Sequence, residues 1–251
     1  MTLAIGGPNR HGPAGWEQLY QPPRLRWLWL VSRRTTIGAV SFDSHPPKLT
    51  VRLAGADDAE RLASLMYLAP SREAVAMAGS ARAAEQFQAI VFRNALQAQT
   101  STIIVAETAS GLAGLAEVSR GADAPPLPTM ARAAVAAMGV AGALRAAGRS
   151  LARLKVNVSS PEGGVHLVEL QVAPELRNRG IGGFLLARVD EHAIAQHAPH
   201  ISLTTTTDNP ARGLYERNGY QLVARKTNAR YERITGSAGR VLMVKPLDII
   251  A

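Results

Sequence analysis

The stretch Val172-Ala173-Pro174-Glu175-Leu176-Arg177-Asn178-Arg179-Gly180-Ile181-Gly182-Gly183 carries the residue types and spacing of an anion site. An extended run ends, a glycine-bearing turn follows, and a helical pattern begins. The start of a helix leaves several backbone N–H groups without partners and pointing outward. With the positive end of the helix dipole they attract a phosphate. Glycine is expected there because a Cβ would hold a phosphate off the backbone. Arg177 and Arg179 add charge. Two phosphate motifs fail on this stretch. A Walker loop needs Lys-Ser/Thr after its glycines, and none follows; a dinucleotide fingerprint starting at Gly180 needs glycine where Leu185 stands. The glycines alone would also suit a plain turn.

Two titratable residues lie just upstream. Glu169 interrupts the apolar run His166-Leu167-Val168-Glu169-Leu170-Gln171-Val172, which reads as a central strand. A carboxylate buried there needs a partner or a raised pKa. His166 opens the same strand and has the side chain whose charge changes most readily near neutral pH. The two are three positions apart, so in a regular strand they face opposite sides, unless a bulge intervenes. His192, His197 and His200 are spaced by five and three. That does not match the i, i+4 pair of a helical zinc site, so no metal is expected.

These residues need elements to hold them. Leu49–Leu53 reads as a strand, and Leu62, Leu65 and Met66 mark a helix over 57–67 whose first turn is acidic. Ser71 and Glu73 open an alanine-rich helical stretch to about Gln97, broken at Gly79. Ser101–Glu107 and Leu112–Val118 form a hairpin across Thr108–Gly111. A helical pattern runs from Met130 to Leu154, interrupted near Gly139–Gly142. The strand at 166–172 stops at Ala173-Pro174. A helix over Ile181–Ala195 has Phe184, Leu185, Val189 and Ile194 as candidate inward residues. Ile201–Thr206 is a strand, and Asp208 and Asn209 cap a short helix at Pro210–Asn218, ended by Gly219. Tyr220–Lys226 and Arg240–Lys245 are further strands.

The chain has 251 residues, 47% of them hydrophobic and 19% charged, enough for a packed core. It has no cysteine, which excludes disulfides, zinc–thiolate sites and a thiol nucleophile. The first 48 residues are an irregular arm with one short strand expected at Leu25–Val31. Its longest apolar run, Trp27–Val31, is too short to cross a bilayer, and no membrane span is expected. Ser32-Arg33-Arg34 precedes an apolar stretch that ends at Asp43, too short for an export signal, so a cytoplasmic location is expected. The net charge is +9, of which residues 1–48 carry +4 and residues 121–165 carry +3. A basic surface of that kind suits nucleic acid, anionic lipid or an anionic cofactor, or serves only solubility.

Arg177-x-x-Gly180-x-Gly182, the strand and Val-x-Pro step before it, and Asn209-Pro-Ala-x-x-Leu-Tyr215-x-x-x-Gly219-Tyr220 after it together resemble the GNAT superfamily of N-acetyltransferases. The resemblance covers roughly residues 49–246. It implies an α/β (α+β) fold: a mixed, splayed sheet of six to seven strands flanked by helices, in a domain 49–251. The segment 121–165 would be a helical insertion, a lid or wall over the acceptor groove in preference to a membrane-surface element.

The resemblance also implies a cofactor and a chemistry. Acetyl-CoA would enter between the strands ending at Val172 and Thr206. Its pyrophosphate would lie on the amides of Arg177, Asn178, Arg179, Gly180, Ile181, Gly182 and Gly183, and its pantetheine along Leu170, Gln171 and Val172. Asn209 would hold the pantetheine arm, and Tyr215 would approach the thioester sulfur. A neutral amine would attack the thioester in a ternary complex. The Val172 N–H would face the developing oxyanion, and Tyr215 would protonate the departing thiolate. Glu169 is the first candidate for the base and His166 the second. The expected acceptor is the primary amine of a small molecule. A protein amine or an aminoacyl-tRNA is the alternative that the basic segments motivate, with nucleic acid the less favoured partner; a non-catalytic acyl-CoA-binding module is a third reading. A homodimer is compatible with the sequence.

Overall fold

The computed structural model describes residues 49–68, 70–120 and 126–247, all within the unit Ser44–Ala251. The arm expected at 1–48, with its strand at 25–31, lies outside the described residues.

Seven strands form one sheet: β1 (Thr50–Leu53), β2 (Thr102–Thr108), β3 (Gly111–Arg120), β4 (Val165–Val172), β5 (His200–Thr206), β6 (Gln221–Thr227) and β7 (Gly239–Pro246). Their spatial order is β1-β2-β3-β4-β5-β7-β6. Only β4 and β5 run parallel, and every other neighbouring pair is antiparallel. A parallel pair needs a crossover, supplied here by α5 (Ile181–Ala195). The other helices are α1 (Ala59–Tyr67), α2 (Arg72–Ala78), α3 (Ala81–Ala98), α4 (Leu127–Lys155), α6 (Arg212–Arg217) and α7 (Ala229–Thr235).

The sheet's alternation assigns each side chain to a face. On one face Ile104, Ala116, Val118, Leu167, Ile201, Leu203, Val241 and Met243 pack against Leu185, Leu186 and Val189 of α5. On the other, Ile103, Val105 and Leu115 meet Leu62, Leu65 and Phe92 of α1 and α3. α4 packs on α2, α3 and α7. It is long and apolar enough, by length and composition alone, to cross a bilayer. It breaks its helical path at Gly139 (φ 70°, ψ 170°), carries Arg132, Arg145, Arg149, Arg153 and Lys155, and turns Val140, Leu144, Leu151 and Leu154 outward.

Several local expectations shift. Ser71 and Ser80 cap separate helices through their side chains, and Gly79 divides them. Ile194 is exposed, and Leu186 and Ala193 take inward positions instead. The short helix begins at Arg212 rather than Pro210. α7, absent from the sequence reading, is capped by Asn228, whose side chain accepts from the Arg230 and Tyr231 N–H groups.

Candidate active site

β4 and β5 pair only over Val165–Leu167 and Ile201–Leu203. Beyond that, β4 stays with β3 while β5 stays with β7, and a cleft opens between them. The parting begins at a bulge. Glu117 stands opposite Glu169 and Val118 opposite Leu167, so Val168 has no counterpart. A bulge bends its strand and increases the local twist.

The ladder's phase decides what faces the cleft. Ala173 N–H donates to the Ala113 carbonyl at 2.9 Å. Alternation then turns the main-chain groups of Ala173 and Gln171 toward β3 and those of Leu170 and Val172 toward the open edge. Leu170 and Val172 thus offer polar groups to a ligand, whereas Gln171 directs its own into the sheet. The Val172 carbonyl already accepts from Arg177 Nε at 3.2 Å.

Below the cleft, a short turn over Pro174–Leu176 leads to Asn178 (φ 61°) and Gly180 (φ 83°), and α5 starts at Ile181. The Phe184 N–H makes the first helical bond, to Gly180 O at 3.0 Å. The N–H groups of Asn178 through Gly183 go to no other backbone group among the described residues. This row is the anion cradle that helix starts provide. Gly180 is suited to its left-handed φ, and the space a Cβ would take is open. Gly182 differs from the sequence expectation: a Cβ there would lie 2.9 Å from Leu214 Cδ2, so this glycine lets α5 and α6 approach.

The bulge also changes which residues share a face. Glu169 aligns with Glu117, and His166 with Ser119, two positions apart on β3. Glu169 and His166 therefore lie on the same side, together with Ser202 and Arg240. Burial, with the Glu117 carboxylate beside it, pushes the Glu169 carboxyl up to about 7, against the pull of Arg240. Glu117 is itself buried, raised for the same reason, and accepts from Ser101 Oγ at 2.7 Å. Burial, then Arg240, lowers His166 to about 4, so its ring is neutral at pH 7. Its Nδ1 lies 3.0 Å from both Ser160 Oγ and Ser202 Oγ. Arg240 donates to Thr204 O and Oγ1, at 3.1 and 2.9 Å, and pairs tightly with Glu73 of α2. Glu73 also meets Arg153 Nε of α4 at 3.1 Å.

Tyr215 on α6 is buried edge-on against Tyr220, ring centroids 5.9 Å apart. Burial and then the Glu169 carboxylate raise its pKa, so its hydroxyl keeps its proton. Asn209 uses its carboxamide within the chain: Oδ1 accepts from the Ala211 N–H at 2.8 Å and Nδ2 donates to Thr205 Oγ1. It anchors the corner between β5 and α6. Arg179 is exposed beside the cradle.

The sequence reading missed Glu117, Arg240 and Glu73. A carboxylate inside an apolar strand marked Glu169, and the same signal at Glu117 could have marked it. Nothing local marks Arg240 or Glu73, which meet through pairing distant in sequence.

Residues 99–222 match the family model described as an acetyltransferase (GNAT) domain. The structure resembles that of a protein assigned to the GNAT family of acetyltransferases from Desulfovibrio desulfuricans, with a TM-score of 0.50 and 16% identity over 79% of this chain and 98% of that one. That likeness concerns the fold. A structure of PaiA N-acetyltransferase from Thermoplasma acidophilum in complex with coenzyme A aligns with a TM-score of 0.48 and 15% identity, over 80% of this chain and 99% of that one. The matched domain runs from β2 through the cleft, the cradle and α6 to the start of β6, and these residues form an acetyltransferase (GNAT) domain.

Proposed function

We propose that the chain is an acetyl-CoA-dependent N-acetyltransferase whose acceptor is the primary amine of a small molecule. The observation that carries this reading is the cleft where β4 leaves β5, ending on the unpaired N–H groups of Asn178–Gly183. A diphosphate on a flexible thioester carrier fits that combination: charge for the cradle and an extended arm for the open edge of β4. Acetyl-CoA, when bound, supplies an acetyl group activated for transfer by its thioester.

The protein's own residues do the rest. The N–H groups of residues 178–183 bind the diphosphate, with Arg179 beside them. Leu170 and Val172 align the arm through main-chain bonds. Glu169, its carboxyl pushed up to about 7, is poised to take a proton from the incoming ammonium near neutral pH. The amine nitrogen then bonds to the carbonyl carbon while the carbon–sulfur bond breaks. The Val172 N–H faces the charge developing on the carbonyl oxygen. Tyr215, held protonated, gives its proton to the departing sulfur and is made good by the second proton that the nitrogen sheds as the amide forms. His166 is neutral and tied to two serine hydroxyls, which makes it a weaker candidate for the base than Glu169.

Calorimetry with coenzyme A, followed by thiol release from acetyl-CoA across a panel of amines, tests the reading. Heat with coenzyme A and release with one or more amines are expected. No heat overturns the reading, and heat without release from any amine leaves a binding module in place of an enzyme.

A further inference from the structure

A second polar cavity lies away from the cleft, between the α2–α3 junction and α4. It is a partly open hollow of about 350 Å³, within the range of small-molecule sites, and Arg82, Arg145 and Arg149 line it. Gly79 and Gly142, which have no side chain, and Gln86 also line it.

The charges here are placed against ordinary helix electrostatics. Arg82 sits in the first turn of α3, a turn without an acid, where the helix dipole disfavours a cation. Arg145 and Arg149 are four residues apart on α4, a spacing at which like charges repel. Among the described residues, none of the three pairs with a carboxylate. Arg149 is held in place by the Met77 carbonyl at 3.4 Å and lies over Gly79, where a Cβ would come within 2.8 Å of its Nη1. A bound anion would relieve all of these repulsions at once.

The cavity is one short helix from the Glu73–Arg240 pair. Glu73, in the first turn of α2, holds Arg240 and Arg153, and Gly79 closes the other end of that helix. Seven residues at about 1.5 Å each span about 10 Å.

We propose that this cavity is an anion site that holds a phosphate or carboxylate carried by the amine acceptor, at the far end of α2 from the Glu73–Arg240 pair. The assignment of the anion to the acceptor rests on the acetyl-transfer reading; the anion site itself does not. Guanidinium groups recognise both anions through charge-assisted hydrogen bonds.

The test uses the full chain and paired acceptors. 6-Aminohexyl phosphate is compared with 6-amino-1-hexanol, and 8-aminooctanoate with 8-amino-1-octanol. The wild type should show a KM for at least one anionic member roughly tenfold or more below that of its neutral partner. The double variant R82Q/R145Q, at two exposed positions, should erase that preference. It should leave the KM for acetyl-CoA and turnover of the neutral acceptors unchanged. The phosphate and carboxylate arms separate the two anions. Equal KM values within both pairs, or a preference that survives the double variant, overturn the proposal. Binding of inorganic phosphate is read separately as a rise in melting midpoint, which needs no turnover. A rise that is larger in the wild type than in R82Q/R145Q supports the anion site even if no acceptor releases thiol, which would count against the acetyl-transfer reading alone. No rise in the wild type, or an equal rise in both, overturns the site.

Discussion

The two faces of the sheet around β4 are built from alternate residues of the same strands, yet they share almost no chemistry. Toward α5, Val118, Leu167, Leu203 and Met243 close over Leu185 and Leu186 without a polar side chain among them. On the opposite face the same strands present Glu117, His166, Glu169, Ser202 and Arg240. Burying such groups is unfavourable unless each finds a partner. Ser101, Ser160, Thr204 and Glu73 supply partners for most of them. Glu169 is met by another carboxylate across the ladder and stays poised near neutrality. The contrast teaches that around β4 the α5 face is closed by apolar packing, while the opposite face holds the buried carboxylates and His166. The single unopposed residue, Val168, puts Glu169 and His166 on the second face together.

The sharpest way to break this contrast is to mutate one residue on each face. Glu169→Gln is expected to lower kcat by about 10²–10⁴-fold, the usual worth of a general base. It should leave the melting midpoint at pH 8 unchanged or higher, because a buried charge has gone. Leu185→Ala, at a fully buried position under the sheet, is expected to cost about 2–5 kcal/mol of stability. Its kcat per folded molecule should stay near the wild-type value. Denaturant titrations beside steady-state rates would show both. If Glu169→Gln unfolds the chain, or Leu185→Ala abolishes turnover in the folded fraction, the division of labour between the faces is wrong.

A pH series sharpens the same point with a smaller effect. Glu169 has its folded pKa raised from 4.5 to about 7. Its contribution is therefore fully present below about pH 4.5 and lost as pH rises through 7, on the order of 1–3 kcal/mol. His166 runs the other way: its folded pKa is lowered from 6.5 to about 4, so its contribution is present above 6.5 and lost as pH falls through 4. The two trends oppose each other in the wild type. The stability of Glu169→Gln minus that of the wild type isolates the carboxyl, and it should grow from pH 4.5 to 7 and then level off. A difference that stays flat over that range would place Glu169 in open solvent. The rate should also rise with pH through about 7 as the carboxyl ionises.

Much of this architecture is legible in the sequence because it is local. The β2–β3 hairpin, the stop at Gly79, the break near Gly139 and the turn into α5 each rest on a glycine, a cap or a period within a few residues. The pair of motifs at Arg177–Gly182 and Asn209–Tyr220 was enough to point to the family. The remainder depends on register. The sequence reading leaves Glu169 and His166 on opposite sides because alternation is the only local rule, and the bulge exists only in the pairing with β3. Arg240 meets Glu73 across 167 positions, and no window along the chain contains both. α7 is short and held by an Asn cap and by packing on α2 and α4, so its periodic signal is weak. Ile194 is exposed because Ala193, four residues after Val189, holds the inward place on that turn of α5 and its neighbour faces out.

The smallest effects separate the two glycines of the signature, one on the cleft side and one against the apolar layer. Gly180→Ala places a Cβ in open space but at φ 83°, so about 1–2 kcal/mol of backbone strain is expected with no clash to relieve. Gly182→Ala introduces a methyl 2.9 Å from Leu214 Cδ2, the mobile tip of a side chain. Leu214 can turn away at a cost of about 0.5–1.5 kcal/mol. The two losses overlap in size, so a second substitution must tell them apart. Adding Leu214→Ala should make Gly182→Ala nearly neutral relative to Leu214→Ala alone and leave the cost of Gly180→Ala untouched. The heat with coenzyme A should survive Gly182→Ala, because the methyl points at α6 and the N–H stays free. If that heat is lost while the fold and the Leu214 coupling are intact, Gly182 faces the diphosphate rather than the α5–α6 contact, and the boundary between the binding side and the packed side lies one turn further along α5.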